Sequence, residues 1–266
     1  MPTTFCSCPV YLRAHGHRFT IHVDGNSKIA LNPEGYIAPT PSAFSLPAPS
    51  CCPGATPECT AVCYTQGLRK KQPELAAEYF ENERAMHAIL ALDRETRDAL
   101  ASQLGRWITE NAPFGFRWHV SGDVFSEEYA RWIVAVCAHS PDVPHWIYTR
   151  SFFAVPILVA APNLAVNVSL DAGNWDDLKG DAQFALIQNT ARACWMASAA
   201  DEEIPPLPKD SVIFPVYSLR QGTPDGAVWY GALSKKQARM VCPADYFGQS
   251  ESMRCATCRR CLGPVR

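Results

Sequence analysis

The sequence predicts an α/β protein, a largely parallel sheet or partial barrel flanked by helices. Three observations carry that expectation: short apolar segments rich in β-branched and aromatic residues recur along the chain, segments with helical periodicity separate them, and polar residues cluster where the strands stop. At 266 residues, one such domain accounts for the chain.

Residues 1–42, rich in Pro, Gly, Ser and His, read as an irregular N-terminal cap with one strand at Phe19–Val23, and a first core strand follows at Ala43–Leu46. The next stretch, "SCCPGATPECTAVCY" (Ser50–Tyr64), has neither helical nor strand periodicity. "PELAAEYFENERAMHAIL" and "DRETRDALASQLGRWITENA" predict two helices or one broken helix. In the second, Leu100, Leu104, Trp107 and Ile108 fall at i, i+4, i+7 and i+8, one buried stripe, with Asp93 as N-cap. "GFRWHV" reads as the second core strand, "SGDVF" as a turn, and "SEEYARWIVAVCA" as a helix with Tyr129, Trp132, Ile133 and Val136 on one face. "HWIYTRS", "NLAVNVSLDA", "ARACWMAS" and "SVIFPVYS" supply strands three to six. No internal repeat of fixed period is present.

Composition narrows the function. Hydrophobic residues at 47% and charged residues at 19% describe a globular chain, and a net charge of −2 gives no global basic field for gripping duplex DNA. The N-terminus lacks a basic start followed by an apolar run, and the longest apolar stretch, "FFAVPILVAAP", falls short of the ~20 residues that span a bilayer. A cytoplasmic protein with no membrane partner is expected. In a reducing compartment, clustered cysteines point to metal or redox chemistry rather than to disulfides.

The chain has 12 cysteines in two main clusters. Cys52, Cys59 and Cys63 are spaced C-x6-C-x3-C in a loop turned by Pro53, Gly54 and Pro57; three thiolates from one loop suit a [4Fe–4S] cluster with one iron open, and the alternatives are zinc completed by a distant His or a loop of unligated thiols. Cys51 beside Cys52 leaves open which of the two is the ligand. Cys242, Cys255, Cys258 and Cys261, spaced C-x12-C-x2-C-x2-C, make a closed four-thiol set for an auxiliary [4Fe–4S] cluster or a structural zinc. Cys6 and Cys8 read as surface thiols, Cys137 and Cys194 as small buried hydrophobes.

Parallel α/β folds place chemistry at the carboxyl ends of their strands. The three-Cys loop follows strand one, Ser121-Gly122-Asp123 follows strand two, Thr149-Arg150-Ser151 strand three, and Ser169 with Asp171 ends strand four. Of seven histidines, His119 is singled out by its place just before the Ser121-Gly122-Asp123 turn, with a core histidine, or one that supports the site from behind, as the preferred reading.

This order of strand, three-Cys loop, glycine–carboxylate turn, "YTRS" and "VNVSLDA" resembles the radical S-adenosylmethionine superfamily, whose usual loop spacing is C-x3-C-x2-C and whose turn is Gly-Gly-Glu. The resemblance implies a partial (β/α)6 TIM-like barrel over residues 43–233, with the cap at 1–42 and a Cys-rich auxiliary-cluster extension at 234–266. It implies that Cys52, Cys59 and Cys63 ligate a cluster that binds and cleaves S-adenosylmethionine. Ser121, Gly122 and Asp123 would then meet the amino group, with His119, Thr149, Arg150, Ser169 and Asp171 among the remaining cofactor contacts. Over most of the chain, "GNSKI", "AFSLPAPSCCPGATPECTAVCY", "HVSGDVFSEEYARWI", "IYTRS" and the terminal Cys run resemble the phage gene-product-eighty-eight family. Phage context points to a nucleotide or DNA base as substrate, and the chemistry calls for an electron donor. The competing class is a non-catalytic zinc or iron–sulfur module that binds nucleic acid or protein through "GLRKKQ" and "RRC". A catalytic zinc hydrolase lacks any H-x-E or H-E-x-x-H arrangement.

Overall fold

The structure, a computed structural model, describes residues 8–25, 41–63, 65–178, 182–197, 202–208, 210–215, 233–242 and 260–261. Its centre is an eight-stranded sheet in chain order, β1 to β8. The segment expected to be irregular carries two strands instead of one: β1 (Cys8–Ala14) and β2 (His17–Gly25) form an antiparallel hairpin. Val10 and Leu12 face inward while Tyr11 and Arg13 face solvent, the period-2 pattern of a half-buried strand. His15 and Gly16 join the strands with φ of 45° and 82°, as a tight two-residue hairpin turn requires.

β2 pairs antiparallel with β3 (Pro41–Phe44). From β3 onward every neighbour is parallel: β4 (Phe116–Trp118), β5 (His145–Thr149), β6 (Leu164–Leu170), β7 (Arg192–Ala197) and β8 (Val212–Pro215). Between β3 and β4 lie α1 (Pro57–Val62), α2 (Leu68–Lys71), α3 (Pro73–Leu90) and α4 (Arg94–Asn111). α5 (Glu127–Ala138) leads to β5, α6 (Val155–Leu158) to β6, α7 (Ala172–Leu178) and α8 (Ala182–Thr190) to β7, and α9 (Lys235–Ala238) follows β8. The long polar–apolar segment is thus two helices, and α4 starts at its expected cap: Asp93 Oδ1 accepts from Thr96 N at 2.9 Å.

One face of the sheet packs on the helices. Phe44, Trp118, Ile147, Val168, Leu170 and Trp195 share one core cluster with Leu100, Leu104 and Ile108 of α4 and Tyr129, Ile133 and Val136 of α5, and Trp195 stacks edge-on against Trp175 of α7. Each such side chain contributes roughly 1.5–3 kcal/mol of transfer free energy, and Trp107, expected in the α4 stripe, is only half-buried. Alternation turns Tyr148, Cys194, Val212 and Phe214 to a second, separate cluster on the opposite face. Because β3 to β6 run parallel, their carboxyl ends share one sheet edge, and the candidate residues gather there. Among the described residues no helix is long and apolar enough to cross a membrane.

Candidate metal and cofactor site

The three-Cys loop is built around α1. Thr56 caps this helix, accepting at Oγ1 from Cys59 N at 3.0 Å, and Pro57 follows at the first helical position, where its missing N–H costs nothing. This Thr-Pro signature is legible in the sequence, although the loop reads there as irregular. Thr56 Oγ1 also donates to Asp171 Oδ2 at 2.7 Å, fastening the loop to the end of β6.

Arg150 links the loop to the rest of the site. Buried at 5% exposure, its Nη1 lies 2.5 Å from Asp171 Oδ2 and its Nη2 2.6 Å from Met196 Sδ. The guanidinium also lies close enough to Cys59 to favour its thiolate. Gly54 seats the loop on Arg150: a Cβ there would come within 2.2 Å of the Arg150 carbonyl oxygen. Gly173 admits Glu58 in the same way, since a Cβ would meet Glu58 Oε2 at 2.5 Å.

Cys52 lies within electrostatic reach of Cys59, Cys63, Asp123 and Arg150, and Cys59 within reach of Cys63, Arg150 and Asp171. Burial pushes the Cys52 thiol up to about 12, with repulsion from Asp123, Cys59 and Cys63 adding to it and Arg150 opposing. Burial raises Cys59 as well, against the pull of Arg150. Cys63 Sγ stands 3.1 Å from Thr65 Oγ1. Cys51 points elsewhere: its Sγ donates to Glu83 Oε1 on α3 at 3.2 Å and sits in the hydrophobic core. Of the two adjacent cysteines, Cys52 is the one on the side of Cys59 and Cys63.

Asp123 fixes the turn after β4. It accepts Thr149 Oγ1 at 2.7 Å, Val124 N at 2.7 Å and Arg150 N at 2.8 Å, while burial still raises its pKa. Gly122, at φ 79°, lies against Leu46, where a Cβ would come within 2.6 Å of the leucine's own. Ser121 Oγ is buried with no hydrogen-bond partner, as is Glu58 Oε2. Thr149 is turned to Asp123, and Ser169 accepts at its carbonyl from Asn174 Nδ2 at 3.2 Å. His119 belongs to the core: it is 2% exposed, its Nε2 is 2.8 Å from Tyr129 Oη, and burial lowers it to about 3, so it stays neutral. Thr56, Glu58 and Met196 join the site without having been expected there.

The donor set fits a [4Fe–4S] cluster. Each protein sulfur of such a cluster binds a different iron, so three thiols around it need not close on one point. No three His, Cys, Asp or Glu side chains among the described residues form a group that could hold a single metal ion. The three thiols are partly exposed, which leaves the site approachable, and the adjacent Arg150 offsets thiolate charge.

Of the second cysteine set, Cys255 and Cys258 lie outside the described residues. Cys242 and Cys261 meet on the sheet face opposite the helices, together with Cys194 and Val212. Arg260 donates to the carbonyls of Arg239 at 2.9 Å and Ser211 at 3.0 Å. Two cavities lie apart from either cysteine group. One of about 220 Å³ is at the amino-terminal ends of β5 and β6 beside Pro141 and Pro162, the other of about 300 Å³ between Pro206 and Lys236.

The model of one protein family, described as Gene product 88, matches residues 20–263. No curated protein and no solved structure matches the chain significantly.

Proposed function

The chain belongs to the Gene product 88 family, and for it we propose a radical S-adenosylmethionine enzyme built on a partial (β/α)6 barrel, acting on a nucleotide or DNA base. The observation that carries this reading is the convergence of Cys52, Cys59 and Cys63 beside Arg150, at the edge where Asp123, Thr149 and Asp171 also stand. Six neighbouring parallel strands in chain order, β3 to β8, are the strand sequence such a barrel has.

Cys52, Cys59 and Cys63 would hold a [4Fe–4S] cluster through one sulfur each, leaving one iron for S-adenosylmethionine. When bound, that cluster supplies the electron for reductive cleavage of S-adenosylmethionine to methionine and a 5′-deoxyadenosyl radical, which takes a hydrogen atom from the substrate. The chain's own residues hold and orient. Arg150 offsets the thiolate charge and, through Asp171 and Thr56, fixes α1 against β6. Asp123 spends its hydrogen bonds on its own turn and on Thr149 and Arg150, so it shapes the Ser121-Gly122 surface. Ser121 Oγ is the unpartnered group of that turn, available to the amino group of the ligand. Cys242, Cys255, Cys258 and Cys261 would hold an auxiliary cluster that relays electrons from a donor or anchors the substrate.

The test is anaerobic incubation of reconstituted protein with S-adenosylmethionine and dithionite, followed by chromatography for 5′-deoxyadenosine. Wild type is expected to release it, and C52A, C59A and C63A to release none. Iron-loaded wild type that leaves S-adenosylmethionine intact would overturn the reading.

A further inference from the structure

Cys194 lies in the middle of β7 with no exposed surface. Alone it would pass as a small hydrophobe. Its surroundings argue otherwise: Cys242 and Cys261 pack into the same small cluster with Val212, flanked by Tyr148 and Phe214. Three cysteines from three separate stretches of chain therefore meet in one place, and burial, then Cys261 and Cys242, raise the Cys194 thiol. Two of them belong to the terminal C-x12-C-x2-C-x2-C set.

The backbone around them is fastened as a ligand cage requires. Cys242 N donates to Ile213 O at 2.9 Å, and Ile213 N to Met240 O at 2.9 Å, so Cys242 rides on β8. Asn167 on β6 donates through Nδ2 to the Cys261 carbonyl at 3.1 Å, and Arg192 Nη1 donates to Asn167 Oδ1 at 3.1 Å. Arg260 holds the same segment through its two backbone contacts. Arg192 and Arg260 also place positive charge near the Cys194 thiol, which suits a site where several thiolates accumulate.

We infer that Cys194 is a ligand of a thiolate-held metal centre, shared with Cys242 and Cys261 and built onto the sheet face opposite the helices. The centre takes iron in a cluster, where each protein sulfur binds its own iron and the three thiols need not close on one ion, and each ligating thiol gives up its proton to solvent on binding. The inference rests on the terminal cysteines holding metal and is independent of S-adenosylmethionine cleavage.

The experiment uses the full chain in a C59A/C63A background, which empties the first site, so that remaining metal reports the second alone. Iron, sulfide and zinc per chain are measured after gel filtration, with and without C194A, and C137A, a buried helix cysteine remote from both sets, serves as control. Retained metal is expected to fall by about tenfold or more with C194A, since even loss of a ligand's outer partner costs that much affinity, and to be unaffected by C137A. Wild-type metal content in folded C194A would overturn the inference, as would a C59A/C63A background that holds no metal. If C194A does not fold by circular dichroism, C194S decides. An altered metal content or altered absorption spectrum supports the assignment, and an unchanged pair of readings overturns it.

Discussion

Asp171 Oδ2 receives both Arg150 Nη1, at 2.5 Å, and Thr56 Oγ1, at 2.7 Å. One carboxylate oxygen, 115 residues from its threonine partner, thus ties the cap of α1 to the ends of β5 and β6. The three-Cys loop has little buried surface of its own, so this junction and the close approach of Gly54 to Arg150 position the thiols.

Removal of Asp171 is expected to be costly. Asp171→Asn leaves the buried Arg150 charge without its counter-ion, and breaking a buried pair from one side costs about 3–5 kcal/mol. Urea unfolding of the apo protein should show that loss. Reconstituted protein should also retain less iron, because α1 is released from β6. Unchanged stability would mean that Arg150 finds another partner.

Gly54→Ala tests the seating of the loop. The added methyl would lie 2.2 Å from the Arg150 carbonyl oxygen, a contact that only backbone movement relieves, and such overpacking costs roughly 1–3 kcal/mol. Gly16→Ala is the contrast: at φ 82° with open space around it, it should cost about 1 kcal/mol and leave iron binding untouched. Equal iron loss in both variants would contradict the assigned role of Gly54.

Cys51 and Cys52 should separate cleanly. C51S, whose hydroxyl keeps the contact to Glu83, is expected to retain wild-type iron, while C52S loses the first cluster. The reverse pattern, read by iron analysis, would place the ligand on the wrong neighbour.

Asp24 gives the fold a pH dependence. It is buried between β2 and α3, with Tyr79 Oη 3.1 Å from its Oδ2, and burial raises its pKa from 3.8 to about 7. An acid raised in the folded state keeps its proton there after the unfolded chain has lost it. The unfolded state therefore binds fewer protons between about pH 4 and 7, and stability falls as pH rises through that window. The full effect is on the order of 4 kcal/mol. Asp24→Asn should flatten the profile of unfolding free energy against pH between 4 and 7. A variant as steep as wild type would assign the dependence to other groups.

Much of this was readable from residue order. Periodicity locates α4 and α5 because their apolar residues repeat on one face, and it locates β5 to β7 because buried parallel strands are apolar throughout. The convergence of the site at one sheet edge follows from that alternation. β1 is not marked as clearly: a proline and a cysteine interrupt its alternation, and its partner lies across a two-residue turn at His15-Gly16. The choice between Cys51 and Cys52 is invisible in a loop without a period, since it depends on Glu83, 32 residues on. The meeting of Arg150 with Asp171 and Thr56 is tertiary, each residue reading alone as a polar group near a strand end or loop. Cys194 is the clearest case. Alternation in β7 turns it away from Trp195, but nothing within the strand tells that Cys242 and Cys261 cover that face.

The account turns on what Cys52, Cys59 and Cys63 hold, and the most direct measurement is the iron, sulfide and zinc content of anaerobically purified, reconstituted protein, in wild type and in C59A/C63A. Two [4Fe–4S] centres require about eight irons per chain, falling to about four in the variant. Stoichiometric zinc without iron in the wild type, or iron unchanged by the paired substitution, would contradict it.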